Sequence, residues 1–185
     1  MKPYFYFLFI GLLLSSCDDD DAMPIPETPL EELNRRAPAT QTGAGNFGCL
    51  INGEVWLPNS GGPFDPKIQA TYGADGDILN IYATDHNPQG GGYHILSLFY
   101  IGMAKLEEDF YPVYHGRTYL SRFNDYNNGE WLVDTTKHFS LQLTKIYYSP
   151  DYIVAGTFEL TAYKPGSNDT LRMTHGRFDT HWTQY

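Results

Sequence analysis

Cysteine is almost absent from this chain: its 185 residues include two, Cys17 and Cys49. Cys17 closes an N-terminal leader-like stretch, so the body that follows has one thiol and no partner for an internal disulfide. Basic residues are scarce too, 12 Lys and Arg against 22 Asp and Glu, for a net charge of −10. Nothing forms a basic stripe able to neutralise phosphates, which excludes nucleic acid as a partner. Catalytic signatures are missing: there is no G-x-S-x-G, H-E-x-x-H, C-x-x-C or P-loop. The longest apolar run, Tyr4 to Leu14, is well short of the ~20 residues a membrane-spanning helix needs.

That run nevertheless has the length of a signal-peptide core. Lys2 supplies a minimal positive start, and Leu14-Ser15-Ser16-Cys17 closes the run with small residues before a cysteine. This is the pattern of a bacterial lipoprotein processing site, in which the Cys17 thiol accepts lipid and becomes the first residue of the mature chain. Each buried lipid CH₂ contributes ~0.8 kcal/mol, so several acyl chains on one cysteine hold a protein almost permanently. The expected partner is therefore the membrane, through an anchor. Asp18, Asp19, Asp20 and Asp21 follow at once. They resemble the acidic export signal of Bacteroidota lipoproteins, which implies the outer membrane and the cell surface, with the periplasmic face as the alternative.

From Asp18 to about Gly45 the chain carries Pro24, Pro26, Pro29 and Pro38 with few large apolar residues. Such a composition predicts an extended, acidic tether over 17–45, in which Leu30 and Leu33 form at most one helical turn. The division expected is signal peptide 1–16, tether 17–45 and one domain over 46–185, long enough for a substantial core.

Period-two alternation dominates this domain. Phe47 to Ile51, Asn52-Gly53 and Glu54 to Leu57 predict a hairpin, because Asn-Gly accepts the positive φ of a type I′ turn. Ile68–Tyr72 and Ile78–Thr84 flank Ala74-Asp75-Gly76-Asp77 and predict a second hairpin. Further strands are expected over Tyr93–Ile101, His138–Tyr147, Tyr152–Ala162 and Leu171–Trp182, with weaker candidates at Val113–Leu120 and Trp131–Val133. Many short strands between Gly, Asn, Asp and Pro turns imply an all-β fold, an antiparallel β-sandwich or else a small up-and-down or Greek-key barrel.

Several blocks carry a resemblance. Ala39-Thr40-Gln41-Thr42-Gly43, the run from Phe47 to Pro58, Gly156-Thr157-Phe158-Glu159-Leu160 and the closing Thr174-His175-Gly176-Arg177-Phe178-Asp179 are scattered across most of the chain. Together with the Cys17 motif they resemble an uncharacterised family of Bacteroidota lipoproteins. The resemblance implies an envelope location and an all-β domain, and it brings no activity or site.

Other motifs have bland explanations. Gly43-Ala44-Gly45-Asn46-Phe47-Gly48 matches G-x-G-x-x-G, but a Pro-rich stretch precedes it and a hairpin, not a helix, follows. His175, Arg177, Asp179 and His181 alternate along the last strand against Thr174, Gly176, Phe178, Thr180 and Trp182. The two histidines stand ~20 Å apart on a strand, too far to share one ion, so a solvent-facing polar ladder is expected and no metal. Asp75-Gly76-Asp77 and Asn124 to Glu130 are rich in oxygen ligands but read as turns. Cys49, between Gly48 and Leu50, reads as a buried thiol.

Aromatics, by contrast, are plentiful: 16 per cent of the chain, including 15 Tyr and 3 Trp. Such rings stack on sugars or anchor protein contacts as readily as they fill cores. Tyr111, Tyr114, Tyr119, Tyr126 and Trp131 cluster in a loop-rich region and are the candidate ligand-binding residues; Tyr147, Tyr148 and Tyr152 flank Pro150. The expected function is a non-enzymatic, lipid-anchored binding module for an extracellular glycan or protein, without a cofactor. A hydrolase whose carboxylates, such as Glu107 and Asp134, meet only in the fold is the alternative. An accessory subunit of an envelope complex is the third.

Overall fold

The structure, a computed structural model, describes residues 28–60, 62, 67–73, 78–87, 92–101, 109–112, 122–125, 129–134, 136–137 and 139–184. One helix, α1 (Pro29–Arg36), precedes the strands β1 (Asn46–Ile51), β2 (Glu54–Trp56), β3 (Ile68–Tyr72), β4 (Ile78–Asn87) and β5 (Gly92–Ile101). There follow β6 (Asp109–Pro112), β7 (Arg122–Asp125), β8 (Gly129–Val133), β9 (Ser140–Tyr147), β10 (Ile153–Tyr163) and β11 (Thr170–Gln184). The β1–β2 hairpin turns where the sequence predicts it: Asn52 has φ 52° and Gly53 φ 90°, both central positions of a type I′ turn. β6 and β7 are short strands that alternation does not reveal, and the expected strand at Val113–Leu120 lies outside the described residues.

The strands run in the order β2-β1-β11-β3-β4-β5-β7-β8-β10-β9-β6, with β10 and β11 also paired to each other. β10 and β11 serve both layers of the sandwich. Along most of its length β11 lies between β1 and β10, while Trp182 to Gln184 pair with β3. β10 pairs with β9 from Ile153 to Glu159 and with β8 at Ala162 and Tyr163. The sheet is not closed into a barrel. It is the expected all-β sandwich, with antiparallel strand pairings throughout except that β11 and β3 run parallel, which makes the sheet mixed. At ~3.3 Å per residue a strand as long as β11 outruns a single layer, so its end crosses to the second sheet in the direction of β3.

One core fills the space between the layers. Phe47, Cys49, Ile81, Leu96, Leu98, Leu143, Phe158, Met173 and Phe178 are nearly inaccessible within it. Two glycines let aromatic rings cross strands: Phe158 stands opposite Gly176 and Phe178 opposite Gly156. A Cβ on Gly176 would lie 2.6 Å from the Phe158 ring, and one on Gly156 2.6 Å from that of Phe178.

β11 departs from its expected alternation. Phe158 pairs with Gly176 but Leu160 with Met173, so β11 has one extra residue opposite Glu159. The same bulge faces Cys49 of β1, between Gly48 paired with Arg177 and Leu50 paired with Thr174. His175 takes up the extra length with φ 54°. The bulge flips the pattern: Met173, rather than Thr174, is fully buried on the Phe178 side.

The stretch from 28 to 45 is folded against the sheet, which corrects the tether boundary. Thr28 caps α1 in a capping box with Glu31, Pro29 occupies the first turn, and acidic and basic residues sit at the ends that suit the helix dipole. Leu33, 0% exposed, forms a second small core with Ala37 and Leu50. Gly48 makes room for it, since a Cβ there would sit 2.8 Å from Leu33 Cδ1. Composition conceals this packing because a single leucine carries most of it.

Candidate ligand groove on the outer sheet face

The outer face of β9, β10 and β11 is built from polar cross-strand rows. Gln142, Thr157 and Arg177 are directly paired across the three strands. In the next row Ser140 pairs with Glu159, and the bulge places His175 beside it. These six side chains, with Ala39 at one wall and Phe158 and Gly176 in the floor, line a groove of about 390 Å³. That volume is at the small end of known ligand pockets. Gln142, Thr157 and His175 are exposed, whereas Arg177 is buried. The Arg177 guanidinium donates from Nη1 to Asn34 Oδ1 at 2.6 Å and from Nε to the His175 carbonyl at 3.3 Å. Burial draws it below its ordinary pKa. The lining offers amide, hydroxyl and guanidinium donors beside carboxylate and amide acceptors, a mixture suited to a polyhydroxylated ligand.

Next to the groove, the turn before β1 encloses Asp179. Its carboxylate accepts from Thr40 Oγ1 at 2.6 Å and from the N–H groups of Thr42, Gly43 and Ala44 at 3.0, 2.7 and 3.2 Å. Burial alone would raise its pKa. The Thr40 hydroxyl and the three N–H groups outweigh that and hold it below the ordinary carboxylate value. Gly43, at φ 75°, gives the turn its concave row of amides. The glycine-rich segment therefore does bind an anion, but the anion is the chain's own aspartate. Arg177 and Asp179 are 8% and 1% exposed, so the solvent-facing ladder expected of them is corrected: α1 and the following turn cover that face.

At the far end of β9 and β10, Trp182 is ringed edge-on by Tyr72, Tyr148 and Tyr152, with centroids 5.2, 5.5 and 5.0 Å away. The Trp182 indole N–H donates to the Tyr147 carbonyl at 3.2 Å. Tyr147 and Tyr152 remain 43% and 41% exposed, and the Lys145 ammonium lies 5.9 Å from the Tyr147 ring centroid.

Of the aromatic candidates, Trp131 is 8% exposed and belongs to the main core, with the Lys164 ammonium 5.8 Å from its ring centroid. The Tyr111 side chain and Tyr114, Tyr119 and Tyr126 lie outside the described residues, as do Cys17, Asp18, Asp19, Asp20 and Asp21. Glu107, Asp75 and Asp77 are outside them too. Asp134 accepts from the Thr136 N–H and hydroxyl at 3.0 and 2.6 Å, ordinary turn chemistry that also lowers its pKa. The His181 Nδ1–H donates to the Asp151 carbonyl at 2.6 Å. No group of three or more His, Cys, Asp or Glu among the described residues is placed to hold a metal ion. Cys49 is fully buried, and desolvation pushes its pKa up to about 12.

Ser140 and Gln142 belong to no motif of the sequence, and Thr157 and Glu159 enter only through the Gly156–Leu160 block, which assigns no site. Their signal is faint: polar residues at alternate positions of two strand-like runs, meaningful only once the register brings them into rows. No family profile, curated protein or solved structure matches this chain.

Proposed function

We propose that this chain is a non-enzymatic binding module, held at the outer membrane by lipid on Cys17 and facing outward, that takes a carbohydrate in the groove over β9, β10 and β11. The groove carries the reading: six hydrogen-bonding side chains from three strands converge on one opening. Sugars present many hydroxyls at close spacing, and paired rows on a rigid sheet meet them without ordering a loop. Among the described residues the lining holds one carboxylate, Glu159, whereas the usual glycoside hydrolysis requires two acids facing each other. The sequence supports the anchor through Leu14 to Cys17 and the acidic run Asp18 to Asp21. No helix among the described residues is long and apolar enough to cross a membrane.

The test is a glycan array probed with the full chain in detergent. Binding that falls about tenfold in Gln142→Ala, equivalent to ~1.4 kcal/mol, is the expected result. Turnover of a polysaccharide would replace the reading with a hydrolase. Failure on every glycan, with co-purification of an envelope complex, would replace it with an accessory subunit. For the anchor, mass spectrometry of native material should find acyl groups on Cys17, and Cys17→Ala should release the chain from membranes.

A further inference from the structure

The groove contains a cation, Arg177, that has no counter-ion among the described residues. Arg177 is 8% exposed, and its hydrogen bonds go to two neutral acceptors, Asn34 Oδ1 and the His175 carbonyl. A buried guanidinium is ordinarily matched by a carboxylate, because desolvating an unpaired charge is unfavourable. The nearest acid on its own strand is Asp179, two residues on. Asp179 is fully committed: one carboxylate oxygen accepts from Thr40, Thr42 and Ala44, the other from Gly43. No ion pair joins Arg177 to an acid among the described residues. Its Nη2 group makes no hydrogen bond among them, and Arg177 is one of the residues lining the opening. Burial also pulls its pKa down, the sign of a charge desolvated without compensation.

Resting on the carbohydrate reading, we infer that the groove selects an acidic saccharide, a uronic or sialic acid residue whose carboxylate is received by Arg177. A guanidinium fork matches a carboxylate in plane, and Nη2 is free to donate to it. Gln142 and Thr157 stand in the same row to take ring hydroxyls. The other titratable groups facing the opening are Glu159 and His175. Glu159 lies in the neighbouring row, where it accepts from hydroxyls and orients the acid group away from itself and toward Arg177.

The experiment pairs uronic and sialic acid oligosaccharides with their carboxyl-reduced counterparts and measures their binding to the full chain in detergent at pH 7. At least tenfold weaker binding of the reduced partners is expected, with the preference weakened by salt. Arg177→Lys should keep part of the preference and Arg177→Gln should lose it, each checked for folding by circular dichroism. The reduced-ligand comparison uses the unaltered protein, so a variant that fails to fold leaves the test intact. Equal binding of acidic and reduced partners would overturn the acidic inference and leave the carbohydrate reading standing. Binding of neither set would sink both. A preference that survives in folded Arg177→Gln would overturn the assignment to this residue.

Discussion

The Thr40 hydroxyl donates to the Asp179 carboxylate across 2.6 Å, joining residues 139 positions apart in the chain. With the N–H groups of Thr42, Gly43 and Ala44 on the same carboxylate, this contact fastens the N-terminal segment to β11. Hydrogen bonds to a charged acceptor contribute about 1.5–3 kcal/mol each when measured singly and do not add fully. Asp179→Asn removes the charge and turns one acceptor into a donor facing N–H groups. It should destabilise the protein by roughly 2–4 kcal/mol, read from urea denaturation, and expose the turn at residues 40–44 to protease.

The same carboxylate sets a pH dependence. Its pKa is lower in the folded protein than in the unfolded chain. Its contribution is therefore fully present above the ordinary carboxylate value of ~3.9 and is lost as pH falls through the lower folded value. Amide hydrogen exchange at Thr42, Gly43 and Ala44 should accelerate in acid relative to the strands. Asp179→Asn should abolish that extra acceleration, since an amide does not titrate.

Phe158 over Gly176 and Phe178 over Gly156 form a reciprocal pair that ties β10 to β11. Gly176→Ala would drive a Cβ to 2.6 Å from three atoms of the Phe158 ring, while at Gly156 the obstacle includes the Gln142 backbone carbonyl. Overpacking a tight site costs about 1–3 kcal/mol. Gly156→Ala should be the more damaging of the two, because a sheet carbonyl yields less than a ring. Phe158→Leu should recover part of the loss in Gly176→Ala and none of that in Gly156→Ala, a double-mutant cycle that thermal unfolding can score.

These features differ in how far the sequence reveals them. The β1–β2 hairpin and β3 are legible because Asn-Gly and strict alternation act locally. The inner and outer faces of β11 are not. A non-glycine residue, His175, occupies a positive φ there, and nothing in its identity announces an inserted residue that moves Met173 inward. α1 reads as no more than one turn at Leu30 and Leu33, because an eight-residue helix with one fully buried leucine has no sustained period. The groove is invisible for a different reason. Gln142, Thr157 and Arg177 become neighbours only through the registers of two strand pairings, and β9 carries a bulge between its pairs with Ala155 and Gly156 that resets one of them.

Cys49 offers a clean probe of core integrity. It is fully buried opposite Trp56, and burial pushes its thiol up to about 12. The thiolate is the reactive form, so at pH 8 an aromatic disulfide reagent should fail to label Cys49 in the folded chain and label it promptly in urea. The measurement is best made in Cys17→Ala, where Cys49 is the sole thiol. Labelling in native buffer at the rate of a free cysteine would mean that β1 and β2 open readily from the core.

The placement of the fold's N-terminal edge can be tested by truncation. If residues 28–45 were a passive spacer, removing 1–27 and removing 1–45 would leave bodies of equal stability. The packing says otherwise. The longer truncation strips Leu33 from its seat over Gly48 and Leu50, deprives Arg177 of Asn34, and leaves Asp179 without its four donors. Loss of a buried leucine alone costs about 2–5 kcal/mol, and ~2–4 °C accompanies each kcal/mol in a domain of this size. Removing 1–27 should therefore leave the melting temperature nearly unchanged, and removing 1–45 should lower it by roughly 10 °C or prevent folding. Leu33→Ala in the shorter truncation supplies the intermediate case, with a fall of roughly 5–10 °C from the burial term alone. Equal melting temperatures across all three would return this segment to the role of a tether.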